Sequence, residues 1–177
     1  MNRIRVGGGA WRSRLIDVAD VPGLRPTPDR VRETLFNWLG QNLDGLACLD
    51  LFAGSGILGF EAASRGAAAV TLLEIDPRAH AALRRNARIL AAPVEIIRGD
   101  ALEFLASASR QFDVVFVDPP YRHGWLDRVA PLLDNVTRPD GRLYAEAEAP
   151  LTQLAGWHTL KRGRAGQVHF HLMGRAK

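Results

Sequence analysis

Short apolar runs and longer amphipathic segments make up most of this chain, and together they predict alternating strands and helices. The runs that predict strands lie at 46–51, 70–74, 94–97, 112–117, 142–146, 157–161 and 167–173. Segments at 28–39, 57–64, 77–90, 101–106 and 125–133 predict helices, several from apolar residues at helical spacing. This alternation predicts an α/β fold with a doubly wound, mostly parallel sheet of seven strands. The last strand follows a hairpin, so we expect it to be antiparallel.

The region before this alternation has a different pattern. Two short β-type runs, Arg3–Val6 and Arg14–Val18, flank three consecutive glycines and predict a hairpin. The alternative is a terminus without fixed structure. We divide the chain into an N-terminal arm, residues 1–24, and one globular domain, residues 25–177. The domain begins with a helix, for which Thr27 is the predicted N-cap and Pro28 the first helical residue.

The N-terminal segment carries the whole net charge. Residues 1–32 contain seven arginines and three aspartates, while the rest of the chain has 16 basic and 16 acidic side chains. This asymmetry indicates a polyanionic partner, for which arginine is the better phosphate ligand. A solvated basic face is the alternative. The predicted RNA contacts are Arg3, Arg5, Trp11, Arg12, Arg14, Arg25, Arg30 and Arg32.

A glycine-rich turn follows the strand predicted at 46–51. Gly54, Gly56 and Gly59 stand between that strand and a helix, in a spacing that also fits dinucleotide-binding proteins. Glycines allow the backbone to approach a ligand closely, and the free N–H groups of a helix start attract a negative group. The turn therefore predicts a nucleotide-type pocket without identifying its ligand.

Carboxylates stand at or near the ends of four successive predicted strands: Asp50, Glu74, Asp100 and Asp118. In a doubly wound sheet, ligands bind outside the carboxyl ends of the strands. Because four carboxylates at one rim are costly unless they bind something, the pattern indicates a ligand site there.

The motif Asp118-Pro-Pro-Tyr121 is the most specific chemical signal in the chain. The prolines fix the backbone and leave carbonyl acceptors exposed, Asp118 adds a carboxylate, and Tyr121 adds an aromatic face. This set suits a planar ring with an exocyclic amine, whose N–H groups are accepted while the ring stacks. A sulfonium electrophile would make a metal unnecessary, and we expect none.

In these motifs the chain resembles the S-adenosylmethionine-dependent amino-methyltransferases. Three stretches resemble the bacterial RsmD family within that group: 25–39, 113–121 and Gly166-Gln-Val168. The resemblance implies a Rossmann-like class I methyltransferase fold and methylation of the guanine N2 in small-subunit (16S) ribosomal RNA. It covers nearly the whole chain. Ser13 and Arg164-Ala165 depart from the family pattern.

The resemblance also implies roles for individual residues. Asp118, Pro119, Pro120 and Tyr121 would form the catalytic site around the flipped guanine. Glu74 would accept the ribose hydroxyls, Ile75 would pack on adenine, and Asp100 would bind the adenine amine. The full set implied for S-adenosylmethionine is Asp50, Phe52, Ala53, Gly54, Ser55, Gly56, Glu74, Ile75, Asp100 and Ala101.

Alternatives remain open at this level. The glycine spacing also fits an NAD-dependent oxidoreductase, although that function leaves Asp118-Pro-Pro-Tyr121 without a role. A non-catalytic RNA-binding module would use the basic segment alone. Methyltransferases of DNA adenine or cytosine amines, or of protein glutamine, share the motif chemistry.

Several other groups have simpler interpretations. Glu146 and Glu148 are interpreted as solvated charges at a strand end, and Cys48 as a small buried residue. His169 and His171 share a strand face but lack a third metal ligand in view. One cysteine, no membrane-length apolar run and no signal-peptide pattern favour a cytoplasmic protein. We expect a monomer whose partner is ribosomal RNA or the assembling small ribosomal subunit.

Overall fold

A central mixed sheet with helices on both faces forms the body of the molecule. The structure, a computed structural model, describes residues 2–176. Its strands are β1 Asn2–Arg5, β2 Leu15–Val18, β3 Ala47–Asp50, β4 Ala69–Glu74, β5 Glu95–Arg98, β6 Phe112–Val117, β7 Thr137–Ala147, β8 Gln153–Leu154, β9 Trp157–Ala165 and β10 Val168–Arg175. Its α-helices are α1 Asp29–Leu39, α2 Ile57–Ser64, α3 Pro77–Leu90, α4 Ala101–Ala106 and α5 Trp125–Val129. Short 3-10 helices lie at Gly9–Trp11 and Ala130–Asn135.

The strand order of the main sheet is β5-β4-β3-β6-β7-β10-β9-β8. The first five strands are parallel to one another, and β10 is antiparallel to both of its neighbours. This confirms the predicted doubly wound sheet with an antiparallel last strand. The sheet has eight strands rather than seven, because the two-residue edge strand β8 is too short to give a sequence pattern.

The central position of β3 follows from its composition. Cys48 and Leu49 are fully buried on opposite faces of the sheet, in two separate hydrophobic clusters. A strand covered on both faces reads as a continuous apolar run, as 46–51 does. The strand order reverses at β3, between β4 and β6. The switch point where doubly wound sheets bind ligands therefore lies at the end of β3.

Helix α1 begins one residue later than predicted. Pro28 occupies the N-cap position without a side-chain cap, and Asp29 is the first helical residue. Thr27 does not cap the helix; it is buried, and its side chain hydrogen-bonds to Asp118. The sequence signals thus located the helix start correctly to within one residue but gave Thr27 the wrong partner.

The N-terminal hairpin is fixed to the globular domain. The Trp11 N–H donates to Ser64 Oγ at 2.9 Å, and Ser64 Oγ donates to the Gly8 carbonyl at 2.6 Å. The Asp17 N–H donates to Asn86 Oδ1 at 3.0 Å, which joins β2 to α3. The alternative of a terminus without fixed structure is therefore wrong for residues 2–18. Within residues 2–176, no helix is long and apolar enough to cross a membrane.

Candidate active site at the carboxyl rim of the sheet

The four predicted carboxylates lie along the carboxyl rim of the sheet. Asp50 ends β3, Glu74 ends β4, Asp118 follows β6, and Asp100 is the N-cap of α4 after β5. Because β5, β4, β3 and β6 are neighbours in that order, the side chains line one continuous edge. None of the four forms an ion pair with a basic side chain of residues 2–176.

The glycine turn is held against the end of the next strand. The Gly54 N–H donates to Glu74 Oε1 at 2.8 Å, and the Asp76 N–H donates to Glu74 Oε2, also at 2.8 Å. The Gly56 N–H donates to the Ala53 carbonyl at 2.7 Å. Ser55 is buried, and its hydroxyl accepts from the Ile57 N–H at 3.3 Å. Glu74 therefore orders the turn while it keeps lone pairs for a ligand.

The glycines of the turn face different surroundings. A Cβ on Gly56 would lie 2.4 Å from Leu83 Cδ2 and 2.8 Å from Phe60 Cε2, and Gly56 has φ +82°. A Cβ on Gly59 would lie 2.4 Å from Leu72 Cδ2. These two glycines allow close packing in the core, whereas Gly54 (φ +55°) has only distant neighbours, the nearest being Leu24 Cγ at 3.9 Å. Of the glycines in the turn, Gly54 therefore has the most space for a close approach of the backbone to a ligand.

Asp50 is buried at the end of β3, where its Oδ2 accepts from the Gly59 N–H at 3.1 Å. Burial, together with the charges of Glu74 and Glu146, raises the pKa of Asp50 to about 7 despite the lowering effect of the Gly59 hydrogen bond. A positive group beside Asp50 would favour its ionised form.

The residues implied for the adenosine half of a cofactor lie beyond β4 and β5. Ile75 is 60% exposed, which is unusual for a large apolar side chain. Asp100 Oδ1 accepts from the Glu103 N–H at 3.0 Å, and Ala101 is buried at the start of α4. Phe52 is partly buried and meets the Trp125 ring edge-on, with centroids 5.5 Å apart.

The segment Asp118–Tyr121 leaves the sheet directly after β6. Pro119 is buried and Pro120 is exposed, while Tyr121 is 40% exposed. Burial raises the pKa of Asp118 well above its ordinary value, and the neighbouring Glu146 raises it through its charge and a hydrogen bond. Burial likewise raises the pKa of the Tyr121 hydroxyl to about 12, so this side chain offers a neutral aromatic face.

Glu146 is a buried carboxylate close to the candidate site, although the sequence interpretation placed it in solvent. It is 6% exposed on β7, and the Tyr144 hydroxyl donates to its Oε1 at 2.5 Å. Only Glu148, two residues further on, is exposed as expected for a solvated charge. One sequence signal could have indicated that Glu146 is buried. Tyr144 and Glu146 lie on the same face of a predicted strand, and a buried tyrosine hydroxyl needs a hydrogen-bond partner.

Seven of the eight predicted RNA contacts lie at least partly at the surface. Arg3, Arg5, Arg12, Arg14, Arg25 and Arg30 are exposed, and Trp11 is partly buried. The prediction for Arg32 is wrong, because this side chain is only 2% exposed. Its guanidinium donates to Glu61 Oε2 at 2.9 Å, to Asp29 Oδ1 at 2.7 Å, and to the carbonyls of Thr27 and Arg5. Arg32 is a structural anchor between α1, α2 and the hairpin.

The two histidines of β10 do not form a metal site. His171 is fully buried; its Nε2 accepts from the Leu151 N–H at 2.9 Å, and its Nδ1 lies 3.0 Å from the Ala145 carbonyl. Burial lowers its pKa, which keeps the ring neutral. Within residues 2–176, no group of three or more His, Cys, Asp or Glu side chains is placed to hold a metal ion.

The fold and the rim define the class of the protein. A parallel sheet with an antiparallel last strand, a glycine turn after β3 and Asp-Pro-Pro-Tyr after β6 make it a Rossmann-like methyltransferase. A solved structure described as a putative methyltransferase, yhhF, from Escherichia coli has a TM-score of 0.88 and 43% identity. The match covers 99% of this chain and 100% of that one. This agreement leaves no support for an oxidoreductase.

The family model described as Conserved hypothetical protein 95 matches residues 4–174. Ribosomal RNA small subunit methyltransferase D of Escherichia coli K12 is 45% identical, over 98% of this chain and 90% of the relative. The protein of the same name from Haemophilus influenzae is 42% identical, over 96% of this chain and 92% of the relative. The chain therefore belongs to the RsmD family.

Proposed function

We propose that this protein transfers the methyl group of S-adenosylmethionine to the exocyclic N2 amine of a guanine in small-subunit ribosomal RNA. The observation that carries the proposal is the position of Asp118-Pro-Pro-Tyr121 directly after β6, beside the glycine turn of β3. The family relatives are named as ribosomal RNA small subunit methyltransferases, which supports RNA methylation. The guanine N2 target rests on the chemistry of the motif and on the resemblance of its surrounding sequence.

The rim fits a cofactor that carries positive charge. Asp50 and Glu74 lie at adjacent strand ends without an ion-pair partner among residues 2–176, and Gly54 leaves open space beside them. Asp50, Phe52 and 53–56 would hold the methionine end. Glu74, Ile75, Asp100 and Ala101 would hold the adenosine end, with exposed Ile75 covered by adenine. When bound, S-adenosylmethionine supplies a methyl group on a sulfonium.

The chain's own residues would act by orienting the amine. Asp118 and the Pro119 carbonyl would accept its two N–H groups, while Tyr121 would stack on the base. These bonds direct the amine lone pair toward the methyl carbon and strengthen as the nitrogen gains positive charge. The new N–C bond forms as the S–C bond breaks, and the surplus proton then leaves the nitrogen for water.

The exposed arginines of the hairpin would bind the RNA backbone. The end of the arm reaches the rim, because Leu24 lies beside Gly54. Turning a base out of its stack costs a few kcal/mol. Phosphate contacts by Arg3, Arg5, Arg12 and Arg14 would offset this cost.

Nucleoside analysis of the methylated product tests the proposal. The purified protein is incubated with labelled S-adenosylmethionine and either naked small-subunit RNA or assembled subunits, and the RNA is digested to nucleosides. The proposal predicts label in N2-methylguanosine, and the better of the two substrates identifies the natural one. Label in N6-methyladenosine or N4-methylcytidine would contradict the guanine target, and absence of transfer to either RNA would contradict the function.

A further inference from the structure

The C-terminal part of the chain carries an excess of positive charge that the charge balance of the domain hides. Residues 149–177 contain five basic side chains and no aspartate or glutamate, whereas residues 33–148 contain 11 basic and 16 acidic side chains. Three of the five stand close together on β9 and are called the basic tip: Lys161, Arg162 and Arg164. They are exposed, and none forms an ion pair with an acidic side chain of residues 2–176.

The strand registers place the basic tip level with the segment Asp118–Tyr121. A row of paired residues crosses the sheet from β6 to β9, and its members are Val117, Ala145, His171 and Arg162. Arg164 lies two residues closer to the carboxyl rim, in the same row as Ala147, the last residue of β7. Since neighbouring strands are about 4.8 Å apart, β9 lies roughly 14 Å from β6 along the rim.

The basic tip and the N-terminal arm lie on opposite sides of Asp118–Tyr121. In the strand order, β6 separates β3 from β7, β10 and β9. The arm is on the β3 side, because its Leu24 lies beside Gly54 and its hairpin is fixed to α2 and α3. An RNA strand with its target base held after β6 would therefore meet basic side chains in both directions.

The basic tip has a fixed position in the fold. Gly163, between its members, packs under the ring of Phe170 on β10, where a Cβ would lie 2.4 Å from Phe170 Cζ. The Phe170 ring in turn meets Trp38 of α1, with centroids 5.4 Å apart. Arg164 Nε donates to the Gly166 carbonyl at 2.9 Å, at the turn into β10. Side chains held in this way lose less conformational entropy when they bind a ligand.

The chemistry of this sheet edge favours RNA over a protein partner. β8 pairs with β9 only at Trp157 and His158, so within residues 2–176 the outer edge of β9 from 160 to 165 has no neighbouring strand. Such an edge can take up a strand of another protein, but charged side chains, lysine above all, oppose that pairing. The two arginines offer the planar donor groups that bind phosphate.

We propose, building on the proposed methylation of ribosomal RNA, that the basic tip is a second RNA-binding surface. It binds backbone phosphates on the side of the target base that faces away from the N-terminal arm. Contacts with phosphates position a strand without reading its bases. The two surfaces together hold the RNA on both sides of the nucleotide that is turned out of its stack.

The salt dependence of binding to small-subunit RNA measures these contacts. In the triple variant Lys161→Ser, Arg162→Ser and Arg164→Ser, the slope of log affinity against log salt should fall by about 0.7–0.9 for each lost phosphate contact. For three contacts, a rise from about 50 to about 200 mM salt should cost the wild type about 20–40-fold more affinity than the variant. The affinity for S-adenosylmethionine and the melting temperature should not change.

Two further variants separate a local surface from the overall charge. Serine at Arg110, Arg138 and Arg142 removes the same charge from exposed positions nearer the amino ends of the strands, and the slope should stay at the wild-type value. Lysine at Arg162 and Arg164 keeps both charges, so this variant should also have the wild-type slope. A fall in slope with lysine would mean that the shape of the turn, rather than charge, determines binding, which would contradict the proposal.

A wild-type slope in the triple serine variant of the basic tip would overturn the inference, and so would an equal fall in the control of equal charge. If the triple variant does not fold, Arg164→Ser alone should lower the slope by about 0.7–0.9, and an unchanged slope would count against the surface. Methylation assays on the same RNA separate the two proposals. Methylation by the wild type with no slope change in the variant refutes the surface alone. A slope change without methylation by the wild type refutes the proposed function alone.

Discussion

The Gly54 N–H donates a 2.8 Å hydrogen bond to Glu74 Oε1, which fastens the turn after β3 to the end of β4. Both residues were predicted from sequence as parts of one cofactor site, and they lie 20 residues apart in the chain. The bond explains how the turn is held in place although no side chain packs closely against Gly54. Gly56, two residues further along the turn, packs against the core instead.

Substitutions of Gly54 and Gly56 should therefore separate ligand binding from folding. Gly54→Ala places a methyl group in open space. It should lower the free energy of unfolding by only about 1–2 kcal/mol, the cost of a left-handed backbone for a residue other than glycine. It should also weaken S-adenosylmethionine binding. Gly56→Ala places its methyl group against Leu83 and Phe60, so it should destabilise the fold by more. Calorimetric binding and thermal melts of both variants measure this. Full cofactor affinity in Gly54→Ala would contradict the predicted site.

The pKa of Asp50 predicts a pH-dependent stability. Between the ordinary value of 3.8 and the folded value of about 7, the unfolded carboxyl is ionised while the folded one keeps its proton. The free energy of unfolding should fall as pH rises through this window, by roughly 4 kcal/mol at about 1.4 kcal/mol per unit. Asp50→Asn should flatten the slope measured by denaturant titration. The pKa of Asp118 is also raised, so Asp118→Asn should flatten the slope as well. If the slope of Asp50→Asn equals that of the wild type, the raised pKa does not belong to Asp50.

The same residue should couple cofactor binding to proton release. A sulfonium or ammonium beside Asp50 favours its ionised form. S-adenosylmethionine should consequently bind more tightly as pH rises toward 7, with protons released on binding below that pH. Calorimetry in buffers of different ionisation enthalpy detects the release, and Asp50→Asn should abolish it. Binding without proton release in the wild type would place the positive group away from Asp50.

The buried Arg32–Glu61 ion pair should contribute strongly to stability. Among residues 2–176, Arg32→Met leaves Arg65, at 3.4 Å, as the remaining ion-pair partner of Glu61 and removes a donor from the Arg5 carbonyl. We expect a loss of about 3 kcal/mol in the free energy of unfolding, near the lower end for breaking a buried pair. Arg30→Met on the exposed face of the same helix should change stability by less than about 0.5 kcal/mol. Equal stability of the two variants in urea titrations would show that the pair is not a structural anchor.

The exposed arginines of the hairpin should determine the salt dependence of RNA binding. Replacing Arg3, Arg5, Arg12 and Arg14 by serine should lower the slope of log affinity against log salt by about 0.7–0.9 for each phosphate that the arm no longer neutralises. Cofactor affinity should stay the same. As a control, Arg110 and Arg138 are replaced by serine. These exposed arginines pair with Glu95 and Asp113 near the amino ends of β5 and β6, so the slope should not change. If the quadruple variant and the wild type have equal slopes, the arginines of the arm do not contact RNA phosphates and are only solvated surface charges.

The sequence predicted the sheet and the carboxylates of its rim, because these depend on local signals. Strand burial is visible as an apolar run, and the glycine turn and Asp118-Pro-Pro-Tyr121 are contiguous. The failures concern side chains whose partners are distant in the chain. Arg32 meets Glu61, 29 residues away. For Gly56, the sequence does not tell whether a glycine faces a ligand or the core.

The most direct test of the account is the single-turnover rate of methyl transfer to small-subunit RNA by Asp118 variants. Asp118→Ala should lower the rate by about 10²–10³, the effect of removing one preorganised transition-state hydrogen bond. Binding of cofactor and RNA should barely change. Asp118→Asn should retain more activity than alanine, because its side-chain oxygen can still accept the amine N–H. Equal rates for the two variants would contradict the positioning role and favour a general base, and wild-type rates in both would remove Asp118 from the active site.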